Sequence, residues 1–183
     1  EQMRKDATEK RRVLDHSWIR AASRTIASSV AELAEFAQAK TVACYLALPS
    51  EVQTRPLIDL CRKAGKAVRV PALDPENGKY RFAVLRPDET LVTGADRTEQ
   101  PCSPCWADET ETDVMIVPGV AFDDAGGRLG RGGGCYDTLL KNFRGTRIGL
   151  AFECQMVDEV PRDEQDETMD IVVTEKRILK IRY

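Results

Sequence analysis

The chain has 183 residues, with 27 Lys and Arg against 30 Asp and Glu, a net charge of −3, and an apolar fraction of 42%. That length suits one domain with a substantial core, and the composition is that of an ordinary globular protein. The slight acidity argues against nucleic acid as a general partner, and no apolar run is long enough to cross a membrane.

In chain order, residues 2–38 read as one long helix with a break possible. Leu14, Trp18, Ala22, Ile26, Val30, Leu33 and Ala37 recur at three- and four-residue spacing and form an apolar stripe for core packing. Arg4, Arg11 and Arg12 lie on other faces and are expected in solvent unless the helix end meets an anion. "TVACYLAL" from Thr41 reads as a buried strand and "PSEVQTRP" as a turn. Leu57 to Ala64 form a short helix that Gly65 is placed to end. "AVRVPAL" and "YRFAVL" are strands about the turn "PENGK". Residues 86–112 lack periodicity and read as mostly loop. "DVMIVPGVAF" is a strongly apolar strand, "YDTLLKNF" is helical, and "RIGLAF", "DIVVTE" and "ILKIR" are further strands. Strands rich in Val and Ile between short helices indicate an α/β domain with an open, largely parallel central sheet.

Six cysteines stand at irregular spacing. Together with the charged, leaderless start they suggest a cytoplasmic protein with reduced thiols. Cys102 and Cys105 form a lone C-x-x-C, and His16 is the one histidine. A zinc site would need a second pair, so a plain loop is the expected reading.

The most informative stretch is "GRLGRGGGCYDTLL", residues 127–140, with five glycines and two arginines. So many glycines in ordered structure carry an entropic cost. The run is therefore either a mobile surface loop or a loop shaped for close backbone approach. Leading from a strand into a helix, it offers free N–H groups to an anion, and Arg128 and Arg131 add bidentate donors. The familiar patterns fail: no G-K-[ST] closes the loop, and Cys135 stands where a dinucleotide motif starting at Gly130 needs its last glycine. Asp137 either complements the helix start or holds Mg²⁺ between carboxylate and phosphates.

Three stretches resemble the 5-formyltetrahydrofolate cyclo-ligase family. They are "YLALPSEVQTRPLI", "VPGVAFDDAGGRLGRGGGCYDTLL" and "GLAFECQMVDEVPRDEQDETMDIVVTE". Their order and spacing extend the resemblance over essentially the whole chain, as a single domain of residues 1–183. The resemblance implies the three-layer fold of sugar-phosphate isomerases and CoA-transferases. It implies ATP- and Mg²⁺-dependent closure of 5-formyltetrahydrofolate, polyglutamylated or not, to 5,10-methenyltetrahydrofolate by a cytoplasmic monomer that binds neither nucleic acid nor membrane. By position it implies ATP contacts from Arg4, Arg128, Leu129, Gly130, Arg131, Gly132, Gly133, Gly134, Cys135 and Tyr136. Arg131 would act at the transferred phosphoryl group. Leu46, Glu51 and residues Arg131 through Cys135 would meet the folate, and Asp137 and Asp170 would ligate Mg²⁺. Two positions depart from the family pattern. Its K-x-x-L-R start is met only by Met3 and Arg4, and its Tyr-Tyr pair is Cys135-Tyr136 here. These departures leave a catalytically reduced paralogue that binds nucleotide or folate, or a ligase or kinase for another small acceptor, as competing readings.

Overall fold

A computed structural model describes residues 1–94, 97–108, 111–163 and 166–181. The expected N-terminal helix is three helices: α1 (Gln2–Arg12), α2 (His16–Ala31) and α3 (Ala34–Gln38). The break has a local cause. The Asp15 carboxylate accepts the backbone N–H groups of Ser17 (2.7 Å) and Trp18 (3.3 Å), so a new helix is capped where the first ends. The apolar stripe holds at Ala22, Ile26 and Val30, which are buried. It fails at its ends: Trp18 and Ala37 are exposed, and Ile19 and Phe36 are buried instead. Restarting the helix at residue 16 and again at 34 rotates the buried face. Arg11 also departs from expectation. It is 7% exposed, because α1 lies against the body of the domain at the 3-10 turn Glu153–Gln155.

The remaining elements are β1 (Thr41–Ala43), α4 (Arg55–Lys63), β2 (Ala67–Asp74), β3 (Lys79–Val84), β4 (Leu91–Thr93), β5 (Glu99–Pro101), β6 (Val114–Pro118), β7 (Ala121–Phe122), β8 (Arg128–Leu129), α5 (Cys135–Leu140), β9 (Thr146–Leu150), β10 (Ile171–Val173) and β11 (Ile178–Lys180). Gly65, at φ 69°, ends α4 as expected, and the N–H of Lys66 returns to the Cys61 carbonyl. The 86–112 region is not all loop, since β4 and β5 pair as a hairpin; its residues 95–96 and 109–110 lie outside the described residues. So does residue 182, the last of the strand expected at 178–182. The expected strand 113–122 divides at Gly119 into β6 and β7.

Seven strands form the central sheet in the order β11-β10-β9-β6-β1-β2-β3. The inner pairings β10·β9, β9·β6, β6·β1 and β1·β2 are parallel, and only the edge strands β3 and β11 run antiparallel. The chain passes from β1 to β2 on one side and later enters β6 on the other. The β1/β6 boundary is therefore a topological switch point, where an open α/β sheet leaves a crevice beyond its strand ends. Helices cover both faces. One core layer joins Ile26, Val30, Leu57 and Ile58 of α2 and α4 to Val42, Val70 and Ile116 of the sheet. The other joins Leu139 and Leu140 of α5 to Met115, Val117 and Val172. No described helix is long and apolar enough to cross a membrane.

Candidate active site

The crevice at the switch point is a cleft enclosing about 1020 Å³ including its mouth. Tyr45 and Leu46 follow β1 into it, and Pro118 and Gly119 enter from the end of β6. Glu51 closes one wall, and the loop from Gly130 to Gly134 closes another. The sheet thus brings together segments that are some seventy residues apart in sequence.

Glu51 is not the solvated turn residue its context suggests. It is 6% exposed, and its Oε2 accepts the Leu48 N–H at 2.9 Å, which closes the 48–51 turn on its own carboxylate. Gln53 donates to the Leu48 and Glu51 carbonyls, each at 2.8 Å, and fixes the turn from behind. A buried carboxylate in a cleft wall requires donors, and a ligand edge rich in N–H groups supplies them. Leu46 is buried beside it as an apolar floor.

The glycine loop is held where it leaves β8. Val120 donates its N–H to the Leu129 carbonyl at 2.7 Å, and Leu129 packs with Ala7, Val120 and Ala121. Arg4 of α1 donates from Nε to the Gly130 carbonyl at 2.9 Å. Gly132 at φ 90° and Gly134 at φ 69° occupy the left-handed region, which side chains resist. Around Gly132, Gly133 and Gly134 there is open space where a Cβ would stand, so the loop leaves room for a ligand against its backbone. Gly134 caps α5, which has six residues; the loop N–H groups and arginines therefore matter more for an anion than the dipole of so short a helix.

Arg128 is the buried cation of the site. Its side chain is 8% exposed, it pairs with Asp137 at 2.8 Å, and its guanidinium lies 5.7 Å from the centre of the Tyr136 ring. Burial draws its pKa below the ordinary arginine value, and the Asp137 carboxylate opposes that shift. Arg131 is exposed at the cleft and has no ion-pair partner among the described residues. Cys135 is half-buried on the cleft wall.

A second, polar groove lies behind the loop. It is lined by Arg4, Arg128, Leu129 and Asp137 together with Asp163, Asp166 and Glu167. Arg128, Gly130, Gly132 and Asp137 belong to both spaces, so the glycine loop is a wall between two cavities. Asp170 is not brought to either. It precedes β10 at the amino edge of the parallel strands, where its carboxylate accepts the Arg147 N–H at 2.7 Å, while the cleft opens at their carboxyl edge. Asp166, four residues earlier, does reach the groove, and its charge joins that of Asp137 in opposing the downward shift that burial imposes on Arg128. Among the described residues no group of three or more His, Cys, Asp or Glu is arranged to enclose a metal alone. Sequence reading passed over Tyr45, Pro71, Tyr80 and Glu99 of the cleft and Asp163 and Asp166 of the groove. A position just beyond or at a strand end was the signal that could have found Tyr45 and Pro118; nothing local marks Tyr80, which an edge strand delivers.

Fold and cleft define an α/β protein that receives ligands at the carboxyl edge of a parallel sheet, against a glycine–arginine loop suited to anionic groups. A sequence profile sharpens the class: the chain belongs to the 5-formyltetrahydrofolate cyclo-ligase family, matched over residues 1–175. It is 36% identical over 146 residues to the 5-formyltetrahydrofolate cyclo-ligase of Escherichia coli (strain K12), covering 76% of this chain and 80% of that one. It is 30% identical over 173 residues to a probable 5-formyltetrahydrofolate cyclo-ligase of Schizosaccharomyces pombe, covering 85% of each. The structure of a 5,10-methenyltetrahydrofolate synthetase from Aquifex aeolicus superposes with a TM-score of 0.87 at 33% identity, covering 100% of this chain and 92% of that one. A synthetase from Mycoplasma pneumoniae, at 20% identity and a TM-score of 0.74 over 95% and 97% of the two chains, shares the fold.

Proposed function

We propose that this protein closes 5-formyltetrahydrofolate to 5,10-methenyltetrahydrofolate at the expense of ATP, with Mg²⁺, releasing ADP and phosphate. The observation that carries this reading is the loop shared by two cavities. A two-substrate phosphoryl transfer needs its acceptor and its triphosphate on opposite sides of one set of donors, in line and screened from water.

The pterin enters the cleft over Leu46, with its donor-rich edge on Glu51. The triphosphate lies along Arg128 to Gly134 on the groove side, with Arg4 beyond. The formyl oxygen attacks the γ-phosphorus and the bond to ADP breaks. The lone pair of N10 then attacks the activated formyl carbon. Phosphate leaves with the C–O bonding pair, and the N10 proton passes to solvent. Arg131, exposed at the cleft, stabilises charge on the transferred phosphoryl oxygens.

The residues fit a magnesium ion. Phosphates alone would meet a groove whose carboxylates outnumber its arginines. Mg²⁺ typically uses one or two carboxylates together with phosphate oxygens and water, so no protein cage is required. Asp137 and Asp166 face the same groove and are the carboxylates we assign; Asp170 is engaged elsewhere. When bound, the ion neutralises the phosphate oxygens.

The test follows the absorbance of methenyltetrahydrofolate with 5-formyltetrahydrofolate, ATP and Mg²⁺. Turnover is expected to require all three. Glu51→Gln is expected to weaken folate binding at least tenfold, with ATP affinity unchanged. Wild-type protein that binds ATP yet forms no product would instead favour the reduced paralogue or another acceptor.

A further inference from the structure

Tyr136 is the second residue of α5, just beyond the glycine loop, and it lines the cleft. Its ring packs against both core layers, and one face carries the Arg128 guanidinium. Its hydroxyl oxygen is shielded from solvent and has no hydrogen-bond partner among the described residues. The other buried phenol of the site shows the contrast: Tyr45 donates to the Val52 carbonyl at 2.9 Å. A phenol with no polar partner would be served as well by a phenylalanine, so an orphaned buried hydroxyl calls for an explanation. Tyr136 lines the folate cleft together with Tyr45, Glu51 and Cys135, and it does not line the triphosphate groove.

We propose that Tyr136 is a folate-binding residue whose hydroxyl donates a hydrogen bond to a carbonyl oxygen of the bound substrate, while its ring face holds Arg128 toward the phosphates. This inference rests on the folate reading of the cleft and extends it. By position in the glycine signature, Tyr136 belongs with the ATP contacts; its place in the cleft and outside the groove assigns its hydroxyl to the other substrate. One side chain then touches both halves of the reaction, because Arg128 lines both cavities. The direction of donation follows from the environment. Burial holds the phenol well above its usual pKa of 10, with Cys135, Cys44, Tyr45 and Glu51 acting in the same sense, so at neutral pH it remains an O–H donor. A substrate carbonyl accepts that proton and removes the unpaired group.

The experiment compares wild-type protein with Tyr136→Phe in direct binding titrations, without turnover. The ligands are 5-formyltetrahydrofolate, 5-methyltetrahydrofolate and, separately, Mg²⁺-ATP. Tyr136→Phe is expected to weaken 5-formyltetrahydrofolate binding roughly tenfold, with ATP affinity held within about twofold and no fall in melting temperature, since the ligand-free hydroxyl makes no bond to lose. Loss confined to 5-formyltetrahydrofolate identifies the formyl oxygen as the acceptor, and equal loss with 5-methyltetrahydrofolate identifies a carbonyl that the two folates share; either result supports the assignment. Unchanged folate affinity, or a loss confined to ATP, overturns it. Failure of the wild type to bind either folate removes the underlying reading of the cleft as well, whereas wild-type binding matched by the variant removes only the role of Tyr136.

Discussion

Replacing Asp123 by alanine tests how the loop is held in place. The Asp123 carboxylate is 1% exposed and makes three hydrogen bonds to main chain. Oδ1 accepts the N–H groups of Ala125 (3.0 Å) and Gly127 (2.7 Å), and Oδ2 accepts the N–H of Val160 at 2.8 Å. The first two shape the turn that sends the chain back through β8 into the glycine loop. The third ties that turn to the segment leading to Asp163 and Asp166. A Cβ on Gly127 would stand 2.3 Å from Oδ2, so the turn is built around this carboxylate. Asp123→Ala orphans the buried N–H groups of Gly127 and Val160 and the partly buried N–H of Ala125. Each costs about 1–3 kcal/mol unpaired, and local relaxation and entering water recover part of the sum, which leaves a loss of roughly 3–4 kcal/mol. For a domain of this size that is a fall of about 10 °C in Tm. Asp123→Asn keeps the shape and the two Oδ1 contacts but turns an N–H toward that of Val160, and should lose about half as much. Urea unfolding followed by circular dichroism measures both variants. A loss below about 1 kcal/mol for Asp123→Ala would refute the view that this carboxylate organises the loop.

Two further predictions concern neighbouring glycines and the thiols. Gly134→Ala should lower stability by about 1 kcal/mol, because φ is 69° there, whereas Gly133→Ala, free of that restriction and open to space, should leave Tm unchanged. Both place a methyl group in the cleft and should weaken ATP binding; equal Tm shifts in the two variants would contradict the backbone argument. Burial raises the Cys61 thiol to about 11 and pushes Cys44 up further. A raised folded-state value means that both contributions are intact below about pH 9. Stability then falls as pH rises through the alkaline range, with a slope approaching about 1.4 kcal/mol per pH unit for each thiol. Denaturant midpoints between pH 8 and 11 should show that decline, and Cys61→Ala should flatten it.

Much of the architecture was legible because its signals are local. Val- and Ile-rich runs mark strands that are buried on both faces, and Gly65 ends its helix through its own backbone conformation. The glycine–arginine run declared itself for the same reason: glycines at such density serve the path of the main chain. Periodicity left open whether the N-terminal helix breaks, because it does not register a cap, and Asp15 restarts the helix with a side chain that looks polar and ordinary in sequence. Residues 86–112 are mostly loop, as expected, and periodicity did not resolve the hairpin within them, since strands as short as β4 and β5 leave little alternation to detect.

The site depended on the sheet order. Glu51 could pass for a solvated turn acid until the switch point between β1 and β6 buried it in a cleft wall. Asp170 and Asp166 are both acids near the start of a strand, and sequence offers little to separate them. The sheet sends one to its amino edge, where Arg147 claims it, and the connecting segment carries the other to the groove beside Arg128. What the sequence determined alone was the chemistry available: a flexible main chain, two arginines and several carboxylates. Which of those carboxylates meets the loop, and on which side, was decided only when parallel strands fixed the ends from which each segment departs.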